Sequence, residues 1–77
     1  MILRKKILID TIDKVNRFSR SAVLFSDKKL ELVHDKYRVN ARSVCGIFSL
    51  DISKPIYLEY NSENEDEANM MFGMYEI

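Results

Sequence analysis

The sequence predicts a single α+β domain over residues 1–77, in which three helices cover one face of a four-stranded sheet and leave the other face in water. Three observations carry this. Ile-, Val- and aromatic-rich runs of strand length occur at residues 2–9, 30–33, 37–39 and 56–60. Segments whose apolar residues recur at helical spacing, or that open on helix-start signals, alternate with them and close the chain. Finally, 77 residues suffice for one core only, so helices and sheet must bury each other's apolar faces. The element order is β-α-β-β-α-β-α.

The first strand, residues 2–9, is apolar and too short for a helix. Asp10 and Thr11 stand where an N-cap is needed, because either side chain can accept from the unpaired N–H groups of a first turn. Ile12, Val15, Phe18 or Ser19, Ala22 and Phe25 then recur every three to four residues, with Lys14, Arg17, Arg20 and Ser21 between them. This is an amphipathic helix of about four turns. Ser26-Asp27-Lys28-Lys29 ends it. Leu30–Val33 and Tyr37–Val39 read as a hairpin around His34-Asp35-Lys36, whose turn lacks a glycine. Ser43 to Leu50 reads as a short helix and Asp51–Pro55 as its exit. Ile56–Tyr60 is the last strand. Ser62-Glu63-Asn64-Glu65 has the S-x-x-E form of a capping box opening the last helix, whose buried face is Ala68, Met71, Phe72 and Tyr75. The carboxylates of Glu63, Glu65, Asp66 and Glu67 suit the positive end of that helix dipole.

Composition excludes several classes. A hydrophobic content of 47% is that of a globular chain. Twelve basic and twelve acidic residues cancel, but unevenly: residues 1–42 hold 11 Lys/Arg and 5 Asp/Glu, a charge of +6, and residues 43–77 hold 1 and 7, a charge of −6. The basic clusters, Arg4-Lys5-Lys6 and Lys28-Lys29, are short, and zero net charge argues against direct nucleic-acid binding. No apolar run is long enough to span a membrane. Arg4-Lys5-Lys6 with Ile7-Leu8-Ile9 is too short for a signal peptide and is interrupted by Asp10. A lone cysteine suits a reducing compartment, so a cytoplasmic protein is expected.

Nothing in the chain reads as an enzyme. One Cys and one His in separate elements make no metal site, and no cofactor motif appears: there is no phosphate-binding glycine loop, and only Gly46 and Gly73 are glycines. His34 reads as a solvated turn residue, and Cys45 beside Gly46 as a small, half-buried side chain rather than a nucleophile. The Glu63–Glu67 carboxylates read as helix-end charges. Ser43 is the better candidate. It caps a short helix whose unpaired N–H groups and dipole would also favour a phosphoryl group. The apolar residues that follow, Val44, Ile47, Phe48 and Leu50, exceed what one short helix can bury on one side. Val44 and Phe48 are therefore expected at the surface as a docking patch.

The segment VNARSVCGIFSLDI resembles the strand-to-helix signature of the HPr family, the small phosphocarrier proteins of the bacterial phosphoenolpyruvate-dependent sugar phosphotransferase system. Val39, Asn40, Arg42, Ser43, Gly46, Ser49 and Leu50 match V-N-x-[KR]-S-[IL]-x-G-[VIL]-[ML]-S-L-G. The closing segment NSENEDEANMM is similar to the family's G-x-D-E-x-x-A helix opening, with Ala68 in the alanine's place. The element order agrees too, and implies an open-faced β-sandwich: a four-stranded antiparallel sheet with three helices on one face. The first helix departs from the family. Its G-[LI]-H-A-R-P-A opening falls, without gaps, on Asp10–Asn16, so Ile12 replaces the phosphoryl-accepting histidine, Lys14 the arginine and Val15 the proline. The loop before the last strand is also slightly short, and the chain ends early.

The resemblance therefore implies a regulatory member of the family and not a competent phosphocarrier. Ser43 takes the place of the serine that an ATP-dependent HPr kinase/phosphorylase modifies in many Gram-positive bacteria, where the product is a corepressor for a catabolite-control transcription factor. Arg42, Val44, Cys45 and Phe48 would form the partner surface, and enzyme I is not an expected partner. Two alternatives stay open: a binding module that uses the same fold without phosphorylation, and a residual phosphocarrier with a non-standard acceptor such as His34.

Overall fold

The computed structural model describes residues 1–27 and 29–77. Lys28, which falls in the helix-breaking segment and the second basic pair, lies outside the described residues. The strands are β1 (Ile2–Ile7), β2 (Glu31–His34), β3 (Tyr37–Asn40) and β4 (Ile56–Asn61); the helices are α1 (Ile12–Leu24), α2 (Val44–Phe48) and α3 (Glu65–Phe72). Single 3-10 turns at Ser62–Asn64 and Gly73–Tyr75 flank α3. The architecture is the expected α+β open-faced sandwich. Its sheet is wholly antiparallel, in the order β1-β4-β2-β3.

Strand alternation and register together build the core. Ile7 lies opposite Ile56, Lys5 opposite Leu58 and Leu3 opposite Tyr60; Leu32 flanks Leu58 from the other side. These residues face the helices, and Ile7, Ile56, Leu58 and Leu32 are fully buried. Above them Val15, Phe18 and Ala22 of α1, Ile47 of α2, and Ala68 and Phe72 of α3 close the core. The helix layer is locked by aromatic contacts. The Phe18 ring lies 5.0 Å from Phe72 and 5.7 Å from Tyr75, and Phe25 lies 5.6 Å from Phe72.

Local chemistry explains the element ends, with several departures from the sequence reading. Thr11, rather than Asp10, caps α1: its Oγ1 accepts from Lys14 N–H at 3.1 Å. Phe25 is extended and leaves the helix, yet stays buried. Ile12 is a correction: instead of joining the buried stripe it is 68% exposed at the first position of α1, and burial begins one turn later with Val15. The hairpin turn is Asp35-Lys36, and Asp35 supplies the left-handed φ of 53° that glycine often provides. His34 therefore belongs to the ladder, opposite Tyr37, and is half-buried rather than solvated in the turn. The capping box does not form. Ser62–Asn64 makes a 3-10 turn capped by Asn61, whose Oδ1 accepts from Glu63 N–H at 3.0 Å, and α3 begins only at Glu65. The chain turns one residue earlier than the motif requires, because β4 pairs with β1 as far as Asn61.

The end of the chain returns to β1. Leu8 N–H donates to the Tyr75 carbonyl at 2.9 Å and Ile77 N–H to the Lys6 carbonyl at 3.1 Å, covering part of the outer edge of that strand.

Candidate functional site

β3 delivers the chain to the joint with α2, and the last β3 residue shapes that joint. Asn40 Oδ1 accepts from Arg42 N–H at 2.9 Å, and the Asn40 carbonyl accepts from Ser43 N–H at 3.0 Å. Ser43 itself is extended and exposed. Its Oγ accepts from Gly46 N–H at 3.1 Å while its carbonyl accepts from Ile47 N–H at 2.9 Å, the geometry of an N-cap. Gly46 makes this fit possible, since a Cβ there would meet Ser43 Oγ at 3.2 Å and Val39 Cβ at 3.4 Å. Ser49 ends the helix by donating its hydroxyl back to the Gly46 carbonyl at 2.5 Å.

Around this joint the expected contact residues divide. Phe48 is 41% exposed, as the excess of apolar residues in this short helix predicts. Cys45 is exposed rather than half-buried, and Val44 is half-buried against the core rather than free at the surface. Both are corrections with one cause: α2 is barely more than one turn long, so Ile47 points to the sheet, Val44 grazes the core beside it, and Cys45 falls on the outer side. Arg42 sits next to Ser43 in sequence, but its Nη2 donates to the Phe25 carbonyl at 3.1 Å and also to the Asp27 carbonyl. Its own carbonyl accepts from Ser19 Oγ at 3.4 Å. Arg42 thus ties the end of α1 to the start of α2.

At the start of α1, Ile12 offers hydrocarbon alone, with no group that can accept a phosphoryl. Lys14 is engaged with Asp10, Nζ to Oδ1 at 3.1 Å, and this contact holds the Asp10 carboxyl below its usual range. His34 Nε2 lies 3.6 Å from Asp35 Oδ2 at the hairpin end, in a different element from either Ser43 or Ile12.

A second polar assembly was not read from the sequence. On the open face of the sheet Glu59 is flanked by Arg4, whose Nε donates at 2.7 Å, and by Arg38, which bonds both Glu59 and Glu31, the latter at 3.0 Å. Arg38 first, and Arg4 after it, hold the Glu59 carboxyl below its usual range against the opposing effect of burial; the same carboxylates raise Arg38. A hollow of about 360 Å³ beside this network is lined by Ile2, Lys29, Glu31, Arg38, Glu59 and Tyr60. Each strand carries a charged residue of this group, Arg4, Glu31, Arg38 and Glu59, but which of them meet depends on strand order. On the covered face, Lys5 is only 5% exposed; its Nζ donates to Asn69 Oδ1 at 2.5 Å and lies 3.3 Å from Glu76 Oε1.

Among the described residues no group of three His, Cys, Asp or Glu side chains is placed to hold a metal ion, and no helix is long and apolar enough to cross a membrane. No protein-family model, curated protein or solved structure matches the chain significantly.

Proposed function

We propose that the chain is a divergent HPr-like protein of the cytoplasm that regulates rather than carries phosphate. In this reading an ATP-dependent HPr kinase/phosphorylase transfers a phosphoryl group to Ser43 Oγ, and the product docks on a catabolite-control transcription factor. The protein itself catalyses nothing and needs no cofactor; enzyme I, nucleic acid and membrane are not its partners. The observation that carries the reading is the pairing of an exposed Ser43 hydroxyl at the strand-to-helix joint with an exposed isoleucine at position 12. One family phosphorylation point is accessible, and the other has lost its imidazole. Cys45 and Phe48, exposed on the helix that Ser43 caps, supply the adjoining contact surface, with Val44 at its inner margin and Arg42 bracing it from behind.

Incubation with HPr kinase/phosphorylase and ATP, followed by peptide mass spectrometry, tests the reading. Phosphate on the peptide containing Ser43, absent from Ser43→Ala, is the expected result. An unmodified Ser43 under conditions that label an ordinary HPr overturns it.

One observation favours a second reading, a binding module that works without phosphorylation: Ser43 Oγ already serves α2 as its cap. In that case Ser43→Ala leaves partner capture intact while Phe48→Asp abolishes it.

A further inference from the structure

The two edges of the sheet are finished differently. On β1 the Ile77 N–H donates to the Lys6 carbonyl and Glu76 bridges Ile7, so residues 76–77 cover part of that edge. At the far side β3 pairs with β2 alone, and among the described residues no strand lies beyond it. One hydrogen bond fixes which of its backbone groups face outward. Ala41 N–H donates to the Leu30 carbonyl at 2.9 Å, so by the alternation of an antiparallel ladder Tyr37 and Val39 also spend their groups on β2. Arg38 therefore turns both its N–H and its carbonyl outward, and Asn40 its N–H, while the Asn40 carbonyl accepts from Ser43 N–H. The side chains alternate as well. Tyr37, 67% exposed, and Val39, packed against the core, lie on the helix side, and Arg38 lies on the open face.

We infer that β3 takes up an extended, acidic segment of a partner protein as a fifth strand of the sheet. An antiparallel strand suits this edge, because one of its residues exchanges both bonds with Arg38 while the residue two before it accepts from Asn40 N–H. Charge selects its sequence. Residues 36–50 contain Lys36, Arg38 and Arg42 and no Asp or Glu. Lys36 is exposed, and among the described residues no ion pair reaches it. The incoming strand thus carries carboxylates opposite Arg38 and Lys36, and apolar residues at the alternate positions, opposite Val39 and Tyr37. A second copy of this chain does not fit. A two-fold axis through Arg38 sets two guanidinium groups face to face, and one through Val39 calls on the Asn40 carbonyl that already serves Ser43. The inference does not depend on modification of Ser43.

The test uses a fluorescein-labelled synthetic peptide of alternating glutamate and valine, titrated with the intact protein by fluorescence anisotropy. Expected are saturable binding that weakens with salt, and slowed amide hydrogen exchange at Arg38 and Asn40 in the complex. Methylating the peptide's glutamate nitrogens, which face β3, should abolish binding, whereas methylating its valine nitrogens, which face away, should be tolerated. Lys36→Glu/Tyr37→Ser should weaken binding by about tenfold or more, with unchanged far-UV circular dichroism because both positions are exposed. The same peptide with lysine in place of glutamate should not bind. The inference is overturned if the native protein does not bind the glutamate peptide, if the lysine peptide or the glutamate-methylated peptide binds equally, or if the variant binds as tightly as native. Protection of the β1 amides in place of Arg38 and Asn40 also overturns it. So does a peptide-free dimer in which Arg38 and Asn40 are already protected, which would make a second copy the occupant.

Discussion

Arg4 on β1 and Glu59 on β4 are direct register partners, and the Arg4 Nε–H reaches Glu59 Oε2 across 2.7 Å. Arg38 of β3 approaches the same carboxylate from the other side, so two guanidinium groups cover a side chain on a sheet face that no helix protects, and Glu59 is only 8% exposed. The strongly basic first part of the chain and the acidic second part are therefore brought into contact by the pairing of β1 with β4. Arg4, Lys5 and Arg38 of the basic part pair in this way with Glu59 and Glu76 of the acidic part.

This arrangement makes the acid limb of stability depend on Glu59. Its carboxyl is lowered in the folded protein, chiefly by Arg38. The stabilisation is therefore complete above the ordinary glutamate value of about 4.3 and is lost as pH falls through the lowered one. Urea unfolding from pH 7 to pH 2 should show this loss, and Glu59→Gln should flatten that part of the profile while costing about 1 kcal/mol at pH 7. An identical acid limb in the variant would assign the pH dependence to other carboxyls.

Ser43→Ala removes the α2 cap and should lower stability by about 1 kcal/mol in chemical denaturation. Ser43→Asp should stay within a few tenths of native, because an aspartate also caps and places negative charge at a helix start. Equal losses in both variants would mean that the hydroxyl matters for something other than capping.

Asp35 holds a left-handed backbone in a two-residue hairpin turn. Asp35→Asn and Asp35→Gly should keep or raise stability, whereas Asp35→Val should lower it by about 1–2 kcal/mol, since a β-branched residue is strained there. Thermal unfolding of the three variants measures the difference.

Phe72 touches both Phe18 and Phe25. Phe72→Ala should cost about 3–5 kcal/mol, a large share of the stability available to a domain of this size, with loss of near-UV circular dichroism. Val23→Ser, at an exposed position of α1, should change stability by no more than about 0.5 kcal/mol.

Much of the fold was legible in the sequence because its signals are local. The stripe of Val15, Phe18 and Ala22, the strand character of Ile56–Tyr60 and the cap at Ser43 each follow from backbone geometry within a few residues. The errors share a different cause. Ser62-Glu63-Asn64-Glu65 has the right letters for a capping box, but β4 holds Asn61 in the sheet and Asn61 becomes the cap of the turn instead. Ile12 has the right spacing for the core, yet no spacing rule says where the covering elements stop. At the candidate site, Ser43, Cys45 and Phe48 are accessible, but the sequence could not show that the Arg42 guanidinium reaches back to the carbonyls of Phe25 and Asp27.

By itself the sequence determined the order of elements, the cap that starts α2 and the purely hydrocarbon side chain at position 12. These are set by hydrogen bonding and sterics among near neighbours, or by the identity of a single side chain. Only the tertiary structure decided which charges neutralise one another, why Lys5 can be buried beside Asn69 and Glu76, and which of the apolar residues stay in water. Those outcomes depend on strand order and on helix length relative to the sheet, which bring together residues more than fifty positions apart, as in Arg4 and Glu59.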